Sequence, residues 1–170
     1  MLSKKVIELL NDQVNKEFYS AYLYLDMSNY YKDEGLDGFA NWYKIQTQEE
    51  RDHALLFMEF LQLNGVSVVL EAIGKPDKEF KNFKDPMEIA ANHERYVTEL
   101  IHNIYDAASQ DKDFRTTQFL DWFVKEQVEE EDNANSLVKK YELFGTDAKG
   151  LYMMDQELGG RVYSAPSLVL

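Results

Sequence analysis

The sequence predicts an all-α protein: a four-helix bundle with a long crossover between helices two and three and a short fifth helix at the C-terminus. Three observations predict it. Four long segments repeat apolar residues at steps of three and four, the period of a helix with one buried face. Only 3 Pro and 8 Gly interrupt the 170 residues. Each of the four segments also sets a carboxylate where its apolar stripe would otherwise run unbroken, and one adds a histidine in Glu50-Arg51-Asp52-His53.

Helix one is expected from about Ser3, a suitable N-cap, to Lys32, with the stripe Val6, Leu10, Val14, Glu17, Ala21, Tyr24, Ser28. Gly35 ends it, because glycine tolerates the left-handed conformation that closes a helix. Helix two is expected over 37–64, with the stripe Phe39, Trp42/Tyr43, Gln46, Glu50, His53/Ala54, Phe57, Phe60/Leu61. The link between them is a few residues, so they should be antiparallel neighbours. Residues 66–85 then form a long connection that opens on a strand-like run, Val66–Leu70. Such a loop inside a compact chain calls for a purpose, and about 3.3 Å per extended residue lets it cross the whole bundle. Helix three is expected from Pro86, favoured in a first turn, to Gln110, with Met87, Ala90, Glu94, Val97, Ile101, Ile104, Ala108 inward. Helix four is expected over 113–144, with Thr116, Leu120, Phe123, Gln127, Glu130, Ala134, Leu137, Tyr141 inward, and a short fifth over 147–158. The whole of 1–170 reads as one domain.

Composition narrows the function classes. Lys+Arg 18 against Asp+Glu 31 gives a net charge of −13, a poor surface for nucleic acid or anionic membranes and a good one for cations. No apolar run is long enough for a membrane helix or a signal peptide, which points to the cytoplasm. The absence of Cys excludes disulfides, thiolate metal sites, iron–sulfur clusters and thiol catalysis.

The interrupting carboxylates share a depth. Glu17 lies 18 residues before the turn at Gly35 and Glu50 lies 15 after it; Glu94 and Glu130 each lie 18 from a turn near Lys112. At about 1.5 Å of rise per residue, the members of each pair sit at matching heights. A lone core glutamate usually reaches back to water. Four converging ones, with a histidine on the same face as Glu50, make a metal site: buried charge is tolerated when a cation pairs with it. This is the arrangement already described for the di-iron carboxylate bundles, so it is not a new pattern. Carboxylate oxygen with imidazole suits iron(II), and zinc too.

The chain resembles the non-haem bacterial ferritins over essentially its whole length, through Glu17-Phe-Tyr-Ser-Ala-Tyr-Leu-Tyr24, Glu49-Glu50-Arg-Asp-His53, Glu94 and Glu126-Gln127-Val-Glu129-Glu130. The resemblance implies a ferritin-like fold and a ferroxidase that oxidises iron(II) with O2 or peroxide and stores it as hydrated ferric oxide in a shell of 24 subunits. It implies a first iron position made by Glu17, Glu50 and His53, and a second made by Glu50 as bridge with Glu94 and Glu130. Gln127 corresponds to a neutral residue hydrogen-bonding near the first iron. Glu49, Glu126 and Glu129, with Glu130 shared, correspond to a third iron site; a solvated acidic face is the alternative and suits Asp132 and Glu131. Tyr24, two turns from Glu17 on one face, corresponds to a tyrosine able to supply an electron, or is a packed core residue. The Val66–Leu70 run would pair across a two-fold axis and the fifth helix would pack around four-fold axes.

The departures from neighbouring families are specific. No second Glu-x-x-His stands on helix four, where the spacing reads Gln127-x-x-Glu130, and Arg51 follows the bridging Glu50 where haem-binding relatives carry methionine, so no haem is expected. His93 and His102 are expected to be structural or on the surface, and Trp122 has no assigned role. A di-iron oxidoreductase of smaller assembly, and a bundle that only buffers metal, are the competing functions; oxygen uptake and assembly mass separate the three.

Overall fold

The structure, a computed structural model, describes residues 2–170. It contains five helices and, among the described residues, no strand: α1 (Lys4–Asp33), α2 (Asp37–Leu63), α3 (Asp85–Gln110), α4 (Phe114–Phe144) and α5 (Ala148–Gly159). The Ser3 hydroxyl accepts from the amide of Val6 and starts α1. Gly35 (φ 78°) and Gly65 (φ 71°) take left-handed conformations just past α1 and α2, where a side chain would be strained. Asp113 caps α4 through the Thr116 amide, and Asp147 caps α5 through those of Lys149 and Gly150.

α1 packs along α2 and α3 along α4, with α1 against α3 joining the two hairpins. The 66–84 segment is the expected crossover, and side chains of α1 mark its course. The Val69 amide donates to Asn11, Asn15 donates to the carbonyls of Glu71 and Ala72, Gly74 faces Tyr19, Phe80 packs on Tyr30, and Tyr31 donates to the Phe83 carbonyl. From Asn11 to Tyr31 is about 30 Å of helix. The Val66–Leu70 run forms no strand, and no described backbone segment pairs with it in a ladder; Val66 and Val68 instead pack on the core and Val69 and Leu70 are exposed.

The core has two halves. One gathers Val6, Leu10, Val14, Phe57, Phe119 and Phe123 with their neighbours. The other gathers Leu23, Met27, Tyr31, Phe39, Tyr43, Met87 and Leu137 and reaches Met154 and Leu158 of α5. α5 is pinned there by Asp155, whose Oδ1 accepts from the amides of Gly38 (2.7 Å) and Phe39 (3.1 Å) at the start of α2. A Cβ on Gly38 would stand 1.6 Å from the Asp155 carbonyl oxygen, so this approach needs glycine. Between the two apolar halves, at mid-height of the bundle, lie the buried polar residues.

Candidate metal centre

Glu17, Gln46, Glu50, His53, Glu94, Gln127 and Glu130 are each at most 6% exposed. Helical period alone puts them there: Glu17 continues the buried side of α1 that carries Leu10, Val14 and Ala21, and Glu50 and His53, three apart on α2, project from one face. Ligand atoms of Glu17, Glu50 and His53 lie within 4.8 Å of one another, and so do those of Glu50, Glu94 and Glu130. Glu50 belongs to both groups. That is the geometry of two neighbouring cation positions with one carboxylate between them. Four carboxylates and two divalent cations also cancel in charge, which a buried site requires.

Without a cation the site resists ionisation. Burial, then repulsion from Glu94, Glu17 and Glu130, holds the Glu50 carboxyl well above the usual carboxylate range. Burial raises Glu17 too, against the opposing pull of His53. Burial pushes Glu94 up to about 7 even though Tyr24 and Gln127 donate to it, and burial with the nearby Glu94 charge pushes Glu130 up to about 8. Glu17 Oε2 and Glu50 Oε1 are buried without a hydrogen-bond partner. Such atoms are costly unless a cation or donor reaches them.

Neutral groups hold the outer carboxylates. Gln13 donates to Glu17 Oε1 (2.8 Å), Gln46 to Glu130 Oε2 (2.9 Å), and Gln127 to Glu94 Oε2 (3.2 Å). The Tyr24 hydroxyl donates to Glu94 Oε1, and burial with the Glu94 charge raises its own pKa well above the ordinary phenol range. Tyr24 therefore stands beside the second group. The Gln127 amide also reaches Glu94, on the second position, whereas the resemblance set it near the first; its turn of α4 faces Glu94 and Thr98 of α3. Gln13 went unnoticed in the sequence and Gln46 was only a stripe position. Gln13 lies four residues before the Glu17 it holds, a spacing that marks it, whereas Gln46 holds Glu130 on a distant helix.

The expected third group is not assembled. Glu49, Glu126 and Glu129 join neither set of converging ligands among the described residues. Glu49 is taken by Arg161 of the C-terminal tail: Nη2 lies 2.7 Å from Glu49 Oε2, Nη1 donates to the Trp42 carbonyl, and the guanidinium sits 4.1 Å over the Trp42 ring. Glu126 Oε1 is 3.9 Å from His53 Nε2, and Glu129 is exposed. The tail continues across α2 and α4 through Tyr163 on Asp52 and the Trp122 indole donating to Ser167. Trp122 also meets His53 edge-on, at 5.6 Å between ring centroids. His93 Nε2 is 2.7 Å from the Ser20 hydroxyl, and burial pulls its pKa down to about 4. His102 is exposed, Asp132 is solvated, and Glu131 accepts from Thr98.

The family model for the ferritin-like domain matches residues 7–144. The chain belongs to the ferritin family. A Haemophilus influenzae relative described as "Probable bacterial non-heme ferritin-like protein" is 38% identical over 159 residues, 94% of this chain and 96% of that protein. A bacterial non-heme ferritin of Staphylococcus aureus is 35% identical over 96% of this chain and 98% of its own length. Among solved structures, an engineered closed form of the Archaeoglobus fulgidus ferritin superposes with a TM-score of 0.94 at 43% identity, covering 96% of this chain and all of that one. The ferritin-like bundle with its short fifth helix is thus the shared fold, and the two carboxylate groups can take metal. No helix is long and apolar enough to cross a membrane.

Proposed function

We propose that this chain is a ferroxidase and iron-storage subunit, with iron(II) as substrate at the paired positions that share Glu50. The observation that carries the proposal is that sharing: a carboxylate between two cations offsets their repulsion and keeps both within reach of one O2 molecule. Glu17, Glu50 and His53 hold the first iron, and Glu50, Glu94 and Glu130 the second. Each iron(II) gives up one electron; O2 takes both with two protons and leaves as hydrogen peroxide, which can oxidise a further pair. Water then hydrolyses the ferric product to hydrated oxide and releases protons. Mixed imidazole and carboxylate ligation leaves coordination positions open for O2 and for release of the product.

Around these steps the protein's own groups orient and buffer. Gln13 and Gln127 fix Glu17 and Glu94. When only one iron(II) is bound, Tyr24 can supply the second electron that takes O2 to peroxide, its proton passing along the hydrogen bond to Glu94 and leaving a tyrosyl radical. Glu49, Glu126 and Glu129, with Glu130, make a third iron site once Arg161 withdraws. The names of the relatives support storage, and the proposed unit is a 24-subunit shell of one-domain chains, 1–170, in the cytoplasm. The resemblance supports an absence of haem. Oxygen uptake on addition of iron(II) tests the proposal: one O2 per two irons is expected where peroxide is released and one per four where it oxidises a further pair, and iron binding with no uptake reduces the function to buffering.

A further inference from the structure

Among the described residues, three buried side-chain atoms have no hydrogen-bond partner: Glu17 Oε2, Glu50 Oε1 and Gln46 Oε1. The first two are carboxylate oxygens of the paired groups, and cations would satisfy them. The third belongs to the Gln46 side-chain amide, which is 4% exposed. Its orientation is forced. The Gln46 amide donates to Glu130 Oε2 at 2.9 Å, and once Glu130 ionises to hold a cation only the N–H side can face its oxygen, so the carbonyl faces away. Gln46 lines a cavity of about 10 Å³ with Tyr24, Tyr43, Glu94, Glu130 and Asn133. That volume is room for about one water, and a buried water needs two to four polar partners. The lining supplies them. A carbonyl oxygen needs a donor, and in a space this small beside Glu94 and Glu130 a water is the donor that fits.

We propose that Gln46 is a positioning residue of the second metal position: its N–H holds Glu130, and its carbonyl accepts a hydrogen bond from a water ligand of the second cation. The inference rests on the two-position reading given above. It makes the two positions unlike in kind. The first is finished by an imidazole from the protein, the second by a water that Gln46 orients on the side of Tyr24. An oriented water supplies the second iron with the ligand that hydrolysis of the ferric product consumes.

Anaerobic titration with cobalt(II), followed by its visible absorption, tests this on the assembled protein. Wild type should bind two ions per chain. Gln46→Met keeps the side-chain length and removes both hydrogen bonds; the first ion should bind as in wild type, and the second about 10–100-fold more weakly, the usual effect of losing an outer partner of a ligand. Equal weakening at both positions, or none at the second, overturns the proposal. Should that variant not fold, Glu17→Ala leaves only the second position to be loaded with manganese(II). Its electron–nuclear double resonance should show exchangeable water protons that vanish in D2O, and a manganese centre without them overturns the proposal. If wild type binds no pair of ions at all, it is the two-position reading that fails.

Discussion

Replacing Glu130 with glutamine should stabilise the metal-free protein while removing its second metal position. Glu130 titrates at about 8 in the folded chain, against an ordinary 4.5, because burial and the Glu94 charge oppose its ionisation. The sign follows from where the proton sits. A carboxyl with a raised folded pKa holds its proton in the native state after the unfolded chain has lost it, so its stabilising effect is present at low pH and is lost as pH rises through the folded value. A shift of roughly 3.5 units at about 1.36 kcal/mol each gives about 5 kcal/mol, lost between about pH 5 and about pH 9, as an upper figure for a group coupled to Glu94. Glu130→Gln carries no charge at any pH, and the substituted carbonyl still accepts from Gln46. Urea unfolding of metal-stripped protein is the assay. Wild type should lose several kcal/mol between the two pH values and regain it with zinc; the variant, in which Glu17, Glu50 and Glu94 still titrate, should lose less and respond to zinc less. A wild-type protein whose metal-free stability rises over that range, or a variant that falls as steeply, would refute the account of a site held ready by buried, like-charged carboxylates.

Other perturbations separate the parts of the site. Glu50→Ala removes a ligand from both positions, so zinc stoichiometry should fall and fast iron oxidation should vanish, while light scattering shows the wild-type assembly. Arg161→Ala frees Glu49, and a third zinc per chain should then bind at least several-fold more tightly; an unchanged third affinity would mean the tail does not compete for that carboxylate. Gly38→Ala drives a methyl into the Asp155 carbonyl, and overpacking of this kind costs about 1–3 kcal/mol; it should appear as a lower thermal midpoint and faster proteolysis at α5.

Most of the frame was legible because helical period and carboxylate depth are local properties of the chain. The matching depths of Glu17, Glu50, Glu94 and Glu130 survive in the structure as two groups that share Glu50. Gly35 and Pro86 mark helix ends through their backbone preferences and Ser3 through its capping hydroxyl, and observed boundaries fall within a residue of the expected ones. What sequence alone could not show depends on contacts between distant segments. Arg161 lies 112 positions from the Glu49 it pairs with, and nothing in a ten-residue tail announces that partner. Gln46 sits on the expected stripe, but its reach to Glu130 across 84 positions depends on how α2 faces α4. Val66–Leu70 has strand-like residues, yet a strand needs a partner backbone, and this chain provides none.

The central claim is oxidation coupled to storage in a shell. The most direct test follows oxygen uptake and particle mass together while iron(II) is added in air. The account predicts a particle near 24 chains of 19.9 kDa that consumes O2 and gains on the order of hundreds of irons without dissociating. A small oligomer that stops taking up iron after two or three ions per chain would contradict it.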